Sequence, residues 1–399
     1  MWEPQPTAGA VGPRGGSFAP YLAQMLDLFR DAMDAGAVGL GSSSNENHRG
    51  TGGLPIASRL ADDDEFRAMM KVLAEYDHGV FMATFGEKHG IPFLEEMSKI
   101  SGRPGCYAPM FYFSHQPDRA KGFMDQAEAA RAKGLPVYCQ ASCQPLSLSF
   151  TLDKAYILKA MKHWPATEDK EELRQIFSDP AFRASFRETL AAEDSQHVFK
   201  GRWDWVPITI TGLEKNKHME GRTVAEVAEE RGVDPFDFFL DLCLEEDFAT
   251  KYTCYLLNME EEGVGPLLVN DGTLICLSDA GAHNSLLCDA GFAMHLFGHW
   301  ARDRGLFDLP TAIRKVTSDP ANVYGIMDRG QLTKGAWADM ILFDPETIGI
   351  TKMERHFDLP AGGERLLREA PGLMGTWVNG VQVFDGENYL EVEAPGEVL

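Results

Sequence analysis

The sequence predicts an α/β protein built around a parallel sheet. Over residues 19–142, four helical patterns alternate with four short apolar runs. These runs are almost continuously apolar, which is typical of strands that are buried on both faces. Such strands, each preceded by a helix, indicate a parallel sheet that is covered by helices. A doubly wound sheet and a (β/α)8 barrel both satisfy this pattern.

The elements of this part can be predicted in order. Apolar residues recur at helical spacing from Phe18, and Gly36 suits the end of that first helix. The apolar run at 37–41 is the first strand. The acidic residues 62–64 can begin the second helix, because their carboxylates accept hydrogen bonds from its first backbone amides. The other strands are predicted at 79–85, 106–113 and 137–142.

Residues 143–270 interrupt the alternation with charged helical patterns and one aromatic segment. We interpret them as a largely helical insertion over one face of the sheet, where insertions commonly shape an active-site mouth. The alternation resumes with a strand at 274–278, and short β segments with turn residues end the chain. The predicted units are an irregular segment at 1–18, an α/β unit at 19–328 and part of a β-sandwich at 329–399.

The composition disfavours several classes of protein. There are 37 Lys and Arg residues against 60 Asp and Glu residues, and the net charge of −23 argues against nucleic acid and anionic membranes as partners. No apolar stretch approaches the roughly 18 residues of a membrane span, and no signal peptide is visible. The seven cysteines lie mostly in apolar runs. They predict reduced, buried thiols in a cytoplasmic protein.

The most informative segment is LSDAGAH, at 277–283. An apolar strand ends there at Asp279, and His283 follows after a turn that contains glycine. Parallel sheets place their functional groups at the carboxyl ends of their strands. An aspartate in that position can bind a metal or take the proton from an attacking water. A turn-capping Asp279 beside an ordinary loop histidine explains the same spacing, so both interpretations stay open.

Four other histidines are candidates. His48 and Arg49 follow the first predicted strand, where Arg can bind a substrate carboxylate, although a solvated loop would look the same. His115 follows another strand and is a candidate metal ligand, although lone histidines more often are not ligands. His295 and His299 have the i, i+4 spacing that can chelate zinc. The metalloprotease glutamate is missing between them, which favours packing and surface roles.

Several motifs resemble one family. The segment from Thr317 to Asp344, with TSDPAN, Gly325 and RGQLTKGAWADMILFD, resembles the closing signature of metal-dependent amidohydrolases. Three further segments resemble the branch that contains N-acyl-D-amino-acid deacylases; they read DAGAVGLGSSSNENHRG, LSDAGAHN and HFDLPAGGERL. The resemblance extends over about residues 22–385, which is most of the chain.

This resemblance implies a (β/α)8 barrel, a β-sandwich, zinc as cofactor and hydrolysis of a C–N bond by metal-activated water. Asp279 would be the metal ligand or general base, and His115 a second ligand. The substrate would be a small N-acylated amine or amino acid. The residues that would hold it are His48, Arg49, Gln140 and His283.

Two departures from the family pattern shape the expected fold. None of the eleven histidines forms the family's His-x-His metal pair. About five barrel strands can be placed where a closed barrel needs eight. We therefore expect an incomplete barrel of strands 4–8 with a partial C-terminal β-sandwich, Met1 beginning just after the third strand. Expected partners are a second copy or a separate N-terminal portion. A hydrolase fragment, a non-catalytic binding or regulatory subunit, and an enzyme with an atypical or absent metal site stay open as alternatives.

Overall fold

The computed structural model describes residues 19–46, 48, 50, 54–86, 88–159, 161–192, 198–276, 278 and 285–398. The strands within these ranges are β1 (Gly39–Ser43), β2 (Val80–Thr84), β3 (Gly105–Met110), β4 (Val137–Ala141), β5 (Leu146–Phe150), β6 (Ile208–Ile210), β7 (Lys251–Leu257), β8 (Thr273–Ile275), β9 (Met340–Phe343), β10 (Glu354–Leu359), β11 (Gly363–Leu367), β12 (Leu373–Val378) and β13 (Val381–Phe384).

The α-helices within the same ranges are α1 (Ala19–Asp34), α2 (Ala57–Leu60), α3 (Asp63–Leu73), α4 (Ile91–Ser101), α5 (Pro117–Ala132), α6 (Tyr156–Lys159), α7 (Lys170–Ser178), α8 (Pro180–Ala191), α9 (Val224–Arg231), α10 (Pro235–Glu245), α11 (Glu261–Val269), α12 (Phe292–His295), α13 (Leu309–Val316) and α14 (Ser318–Tyr324). A π-helical segment, Leu296–Asp303, continues α12.

Five strands form a parallel sheet in the order β1-β2-β3-β4-β8. This confirms the predicted α/β class and its parallel sheet. Strands β2, β3 and β4 are largely buried, as their apolar sequences require. Strand β1 begins two residues later than predicted, because Ala37 still belongs to the turn after α1 and its N–H donates to Ala32 O.

The helix ends follow the predicted signals. Helix α1 ends at Asp34, and Gly36 follows with a φ of 98°, a conformation that glycine adopts without strain. Asp62 precedes α3, and its carboxylate accepts a hydrogen bond from Glu65 N at 2.9 Å. Helix α3 buries Phe66 and other apolar residues against the sheet side of the core. The amphipathic pattern therefore positions these helices as expected.

The segment between β4 and β8 contains helices α6–α11 and also a three-stranded antiparallel sheet in the order β5-β7-β6. This sheet was not predicted, because β6 has only three residues and β5 alternates Leu with Ser. Its core is rich in aromatic rings that lie close together. They include Phe150, Trp203, Phe239 and Tyr252. The segment thus has a hydrophobic core of its own.

The end of the chain forms an antiparallel sheet in the order β13-β12-β9 and a separate hairpin of β10 and β11. Of the short β segments predicted at the end of the chain, YLEVE at 389–393 forms no strand among the described residues and contributes a bridge between Tyr389 and Phe384. All seven cysteines are free thiols, five of them buried. Within the described ranges, no helix is both long enough and apolar enough to span a membrane.

Candidate functional site

The carboxyl ends of five parallel strands lie along one edge of the sheet, which we call the carboxyl edge. Parallel sheets build their sites there because the loops after the strands converge. The sequence analysis predicted site residues in the loops after β1, β3 and β8 and one residue on β4. Three of them, Arg49, Asp279 and His283, lie outside the described residues, and their roles stay predictions.

The loops after β1 and β2 are tied together. Ser43 Oγ lies 2.6 Å from Nδ1 of the exposed His48, and Asn45 Nδ2 donates to Phe85 O at 3.4 Å. The carboxylate of Glu46 lies against Gly86, where a Cβ atom would stand only 2.1 Å from Glu46 Oε2. Glycine at that position is therefore required for the approach of Glu46. The sequence analysis missed this carboxylate, although it belongs to the polar loop that follows the first strand.

The predicted residue Gln140 is buried on β4. Its Nε2 donates to Cys276 Sγ at 3.0 Å, which links β4 to the residue directly after β8. Burial raises the pKa of the Cys276 thiol, and the bond from Gln140 only partly offsets this effect. Cys276 therefore stays a protonated thiol at neutral pH. Gln140 holds the end of β8 in place, three residues before Asp279.

A second residue that the sequence analysis missed is Asn258, which directly follows β7. Its Oδ1 accepts from Tyr112 N at 2.7 Å, and its Nδ2 donates to Ser142 O at 3.0 Å and to Gln144 O at 3.3 Å. The side chain thus joins the inserted segment to the loops after β3 and β4. A polar residue directly after the apolar run KYTCYLL was the signal that could have revealed it.

A first cleft, of about 260 Å³, opens beside the loop after β3. His115 lines it together with Lys200 and Arg202. Partial burial lowers the pKa of His115, and the charges of Lys200 and Arg119 lower it further. The imidazole is therefore neutral at pH 7, in surroundings that favour an anion over a cation. The other lining residues are Ser114, Val198, Phe199, Trp205, Tyr255 and Leu256.

A second, larger cleft of about 720 Å³ contains His295 and His299. Their rings are stacked with centroids 4.8 Å apart, and His299 Nε2 lies 2.7 Å from Glu261 Oε1. Arg368 lines the same cleft. Tyr255 lines both clefts and stands between them. His295 and His299, which have the i, i+4 spacing noted in the sequence, are thus half-buried and lie side by side in the wall of this cleft.

His295 provides a pH test of this cleft. Burial, with the nearby charges of His299 and Arg368, lowers its pKa to about 3, although Asp303 opposes the shift. The unfolded chain therefore binds the proton first as the pH falls. The contribution of neutral His295 to the free energy of unfolding is therefore complete above about pH 6.5 and is lost as the pH falls toward 3.

We expect His295→Gln to lose less stability than the wild type between pH 7.5 and 4.5, by on the order of 2 kcal/mol. Urea unfolding at the two pH values measures this difference. His356→Gln, which changes an exposed histidine, is the control and should follow the wild type. If the wild type and His295→Gln lose the same stability between the two pH values, the lowered pKa of His295 is contradicted.

A metal site can be tested against the described residues. Among them, no group of three or more His, Cys, Asp or Glu side chains is placed to hold a metal ion. His115 is the predicted ligand within these ranges, and the charges of Lys200 and Arg119 act on it and oppose a cation. The described residues therefore do not fit a zinc site by themselves.

Comparison with known proteins identifies relatives of the chain. The sequence profile described as "Amidohydrolase family" matches residues 8–384. D-aminoacylase from Alcaligenes xylosoxydans xylosoxydans is 32% identical over 192 residues, which are 48% of this chain and 36% of that relative. The aligned region thus spans well under two thirds of the relative.

Two solved structures have a fold similar to that of this chain. A crystal structure of D-aminoacylase has a TM-score of 0.57 and 21% identity, covering 94% of this chain and 65% of that one. N-acyl-D-glutamate deacylase from Bordetella bronchiseptica, complexed with zinc and a phosphonate inhibitor, has a TM-score of 0.55 and 20% identity, covering 94% and 67%. At these identities the similarity establishes the fold.

Proposed function

Because the chain belongs to the Amidohydrolase family, we propose that it is a hydrolase, or part of one, that cleaves the amide C–N bond of a small N-acylated amino acid. The relatives whose names are D-aminoacylase and N-acyl-D-glutamate deacylase support this class of substrate. The −23 charge supports a small molecule rather than nucleic acid as the partner.

The pairing of β4 with β8 is the observation that carries this proposal. The two strands run parallel, with Ala141 opposite Ile275, so the chain leaves β8 at the carboxyl edge. Gln140 then holds Cys276 at that edge. This arrangement supports a role at the carboxyl edge for Asp279, which follows three residues later.

In the proposed reaction, the carboxylate of Asp279 takes a proton from the attacking water. The water oxygen bonds to the acyl carbon, the C–N bond breaks, and the proton is delivered to the leaving amine. The products are a carboxylate and a free amine. His48, Arg49, Gln140 and His283 are proposed to hold the substrate. Zinc as cofactor rests on family resemblance alone, and of its two expected ligands, Asp279 and His115, the second lies in surroundings that oppose a cation.

The finer architecture is also a proposal. We propose an incomplete barrel of strands 4–8 at 19–328, preceded by an irregular segment at 1–18 and followed by a partial β-sandwich at 329–399. Among the described residues, β1 pairs with β2 alone. Large apolar side chains are exposed on α1, just before β1 and on α2; they are Tyr21, Met25, Leu28, Val38 and Leu60. An open strand edge beside such a surface supports coverage by another polypeptide segment or a second copy.

The free thiols support a cytoplasmic location.

We expect the purified protein to release glutamate from N-acetyl-D-glutamate at least roughly tenfold faster than from the L enantiomer, because pocket contacts worth about 1.4 kcal/mol give that ratio. Amine release measured by mass spectrometry, with and without added zinc, tests this. N-acetyl-D-methionine is included as a second acyl substrate. If no amide is cleaved under either condition, this chain is not a hydrolase by itself, and a part of a hydrolase or a binding or regulatory subunit takes its place.

A further inference from the structure

The segment at 285–292, which we call the post-strand segment, begins six residues after Asp279. Its backbone carbonyls accept hydrogen bonds from several distant parts of the chain. The contacts are Arg355 Nη2 to Ser285 O at 3.2 Å, Ser149 N to Leu286 O at 2.6 Å, Arg368 Nε to Cys288 O at 3.0 Å, Gln144 Nε2 to Asp289 O at 3.1 Å and Cys143 Sγ to Phe292 O at 3.2 Å.

Two of these donors, Arg355 and Arg368, flank the tail motif HFDLPAGGERL, which the proposed reaction does not use. The motif forms the β10–β11 hairpin, with Arg355 on β10 and Arg368 directly after β11. The side chain of Arg355 is only 6% exposed. A buried guanidinium is costly unless it is paired and hydrogen-bonded, so its partners decide what it does.

Arg355 contacts three separate elements. Its Nη2 donates to Ser149 Oγ at 2.7 Å on β5 and to Ser285 O in the post-strand segment, and its Nη1 lies 3.1 Å from Glu364 Oε2 on β11. Glu364 also pairs with Lys251 on β7. The planar guanidinium can bridge several acceptors at once, which a lysine cannot do in the same geometry. Arg355 therefore connects the hairpin, the inserted sheet and the post-strand segment.

Glu364 keeps the charge that this connection needs. Burial alone would raise its pKa, but the bond from Lys251 and the charges of Arg355 and Lys251 outweigh burial, and the pKa lies below its ordinary value. The carboxylate is thus ionised at neutral pH. Arg355 is consequently held between a fixed negative charge and two neutral acceptors.

We infer that Arg355 is a positioning residue for the proposed reaction: it holds the post-strand segment, which begins six residues after Asp279 in the sequence, against the inserted sheet. The inference rests on the proposed function where it concerns Asp279. It assigns a role to the tail motif, whose hairpin reaches the carboxyl edge from the far end of the chain.

The amide of Ser149 reports this docking directly, because its hydrogen-bond acceptor is Leu286 O in the post-strand segment. We expect Arg355→Gln to speed hydrogen exchange at Ser149 by at least roughly tenfold, since that bond opens when the segment is released. Arg365→Gln is the matched control, because within the described ranges its guanidinium bonds Asp358 of the same hairpin, at 2.7 and 2.8 Å, and does not reach the post-strand segment. Unchanged exchange at Ser149 in Arg355→Gln would overturn the inference.

Two further variants keep the test decisive if Arg355→Gln does not fold. Ser149→Ala removes one acceptor of Arg355 and keeps the reporting amide, and we expect its exchange to rise roughly threefold. Arg355→Lys keeps the positive charge but loses the planar guanidinium. We therefore expect the Ser149 amide to exchange as fast in this variant as in Arg355→Gln. Wild-type exchange in either variant would overturn the bridging role of Arg355.

Activity separates this inference from the proposed function. If the wild type cleaves amides, Arg355→Gln should lower kcat by roughly tenfold or more and leave KM within about twofold, because displaced groups lose transition-state contacts. Faster exchange with unchanged kcat would overturn the link to Asp279. If the wild type cleaves no amide, the chain is not a hydrolase by itself, and exchange at Ser149 still decides whether Arg355 positions the post-strand segment.

Discussion

Replacing Asp279 by Asn should lower the rate of amide hydrolysis by roughly 10²–10⁴, which is the range that general acid–base groups contribute. Asparagine has nearly the same shape as aspartate but cannot take a proton from water at neutral pH. The substitution therefore removes the proposed chemistry and keeps a side chain of nearly the same size. Initial rates with N-acetyl-D-glutamate measure the effect.

Asp271→Asn is the matched control for this experiment. Asp271 lies in the turn before β8, its side chain is 93% exposed, and its ion pair with Arg314 is distant, at 4.0 Å. The same chemical change there should leave the rate within about twofold, since exposed pairs contribute little. A wild-type rate in Asp279→Asn, with the control also unaffected, would exclude Asp279 as the general base.

Replacing Asn258 by Ala should reduce the free energy of unfolding by about 3 kcal/mol. The side chain is 4% exposed, and its loss leaves the N–H of Tyr112 and the carbonyls of Ser142 and Gln144 without these partners. Unpaired buried groups cost about 1–3 kcal/mol each. Asn258 also has a φ of 59°, a left-handed conformation that alanine tolerates less well.

Urea unfolding followed by circular dichroism measures this loss. Asn388→Ala removes the same side chain from an exposed position after β13 and should change stability by no more than about 0.5 kcal/mol. If Asn258→Ala unfolds at the same urea concentration as the wild type, Asn258 does not join the inserted segment to the sheet in the way that its contacts indicate.

Part of the carboxyl edge was predictable from the sequence, and part was not. His48, His115 and Gln140 were singled out because polar residues at or after an apolar run stand out in the sequence, and their roles stay predictions. Glu46 and Asn258 were missed, since their importance depends on what lies opposite them in space. Arg49, Asp279 and His283 lie outside the described residues, so their roles stay predictions.

The sequence by itself determined the α/β class, the parallel strands, the first helix, which ends before Gly36, and the capping of α3 by Asp62. These features are encoded in neighbouring residues, through apolar periodicity and capping side chains, so a contiguous stretch is sufficient to predict them. The family motifs are contiguous as well, and for the same reason the order of residues along the chain is enough to recognise them.

The tertiary structure alone decided the β5-β7-β6 sheet, the junction at Asn258 and the connection made by Arg355. Strands β5 and β7 lie about a hundred residues apart, and Arg355 is 206 residues from Ser149 in the chain. Contacts over such separations depend on how whole elements pack and which buried polar groups remain to be paired. Local patterns carry no information about those partners, which is why the arrangement of the carboxyl edge became visible only in the folded chain.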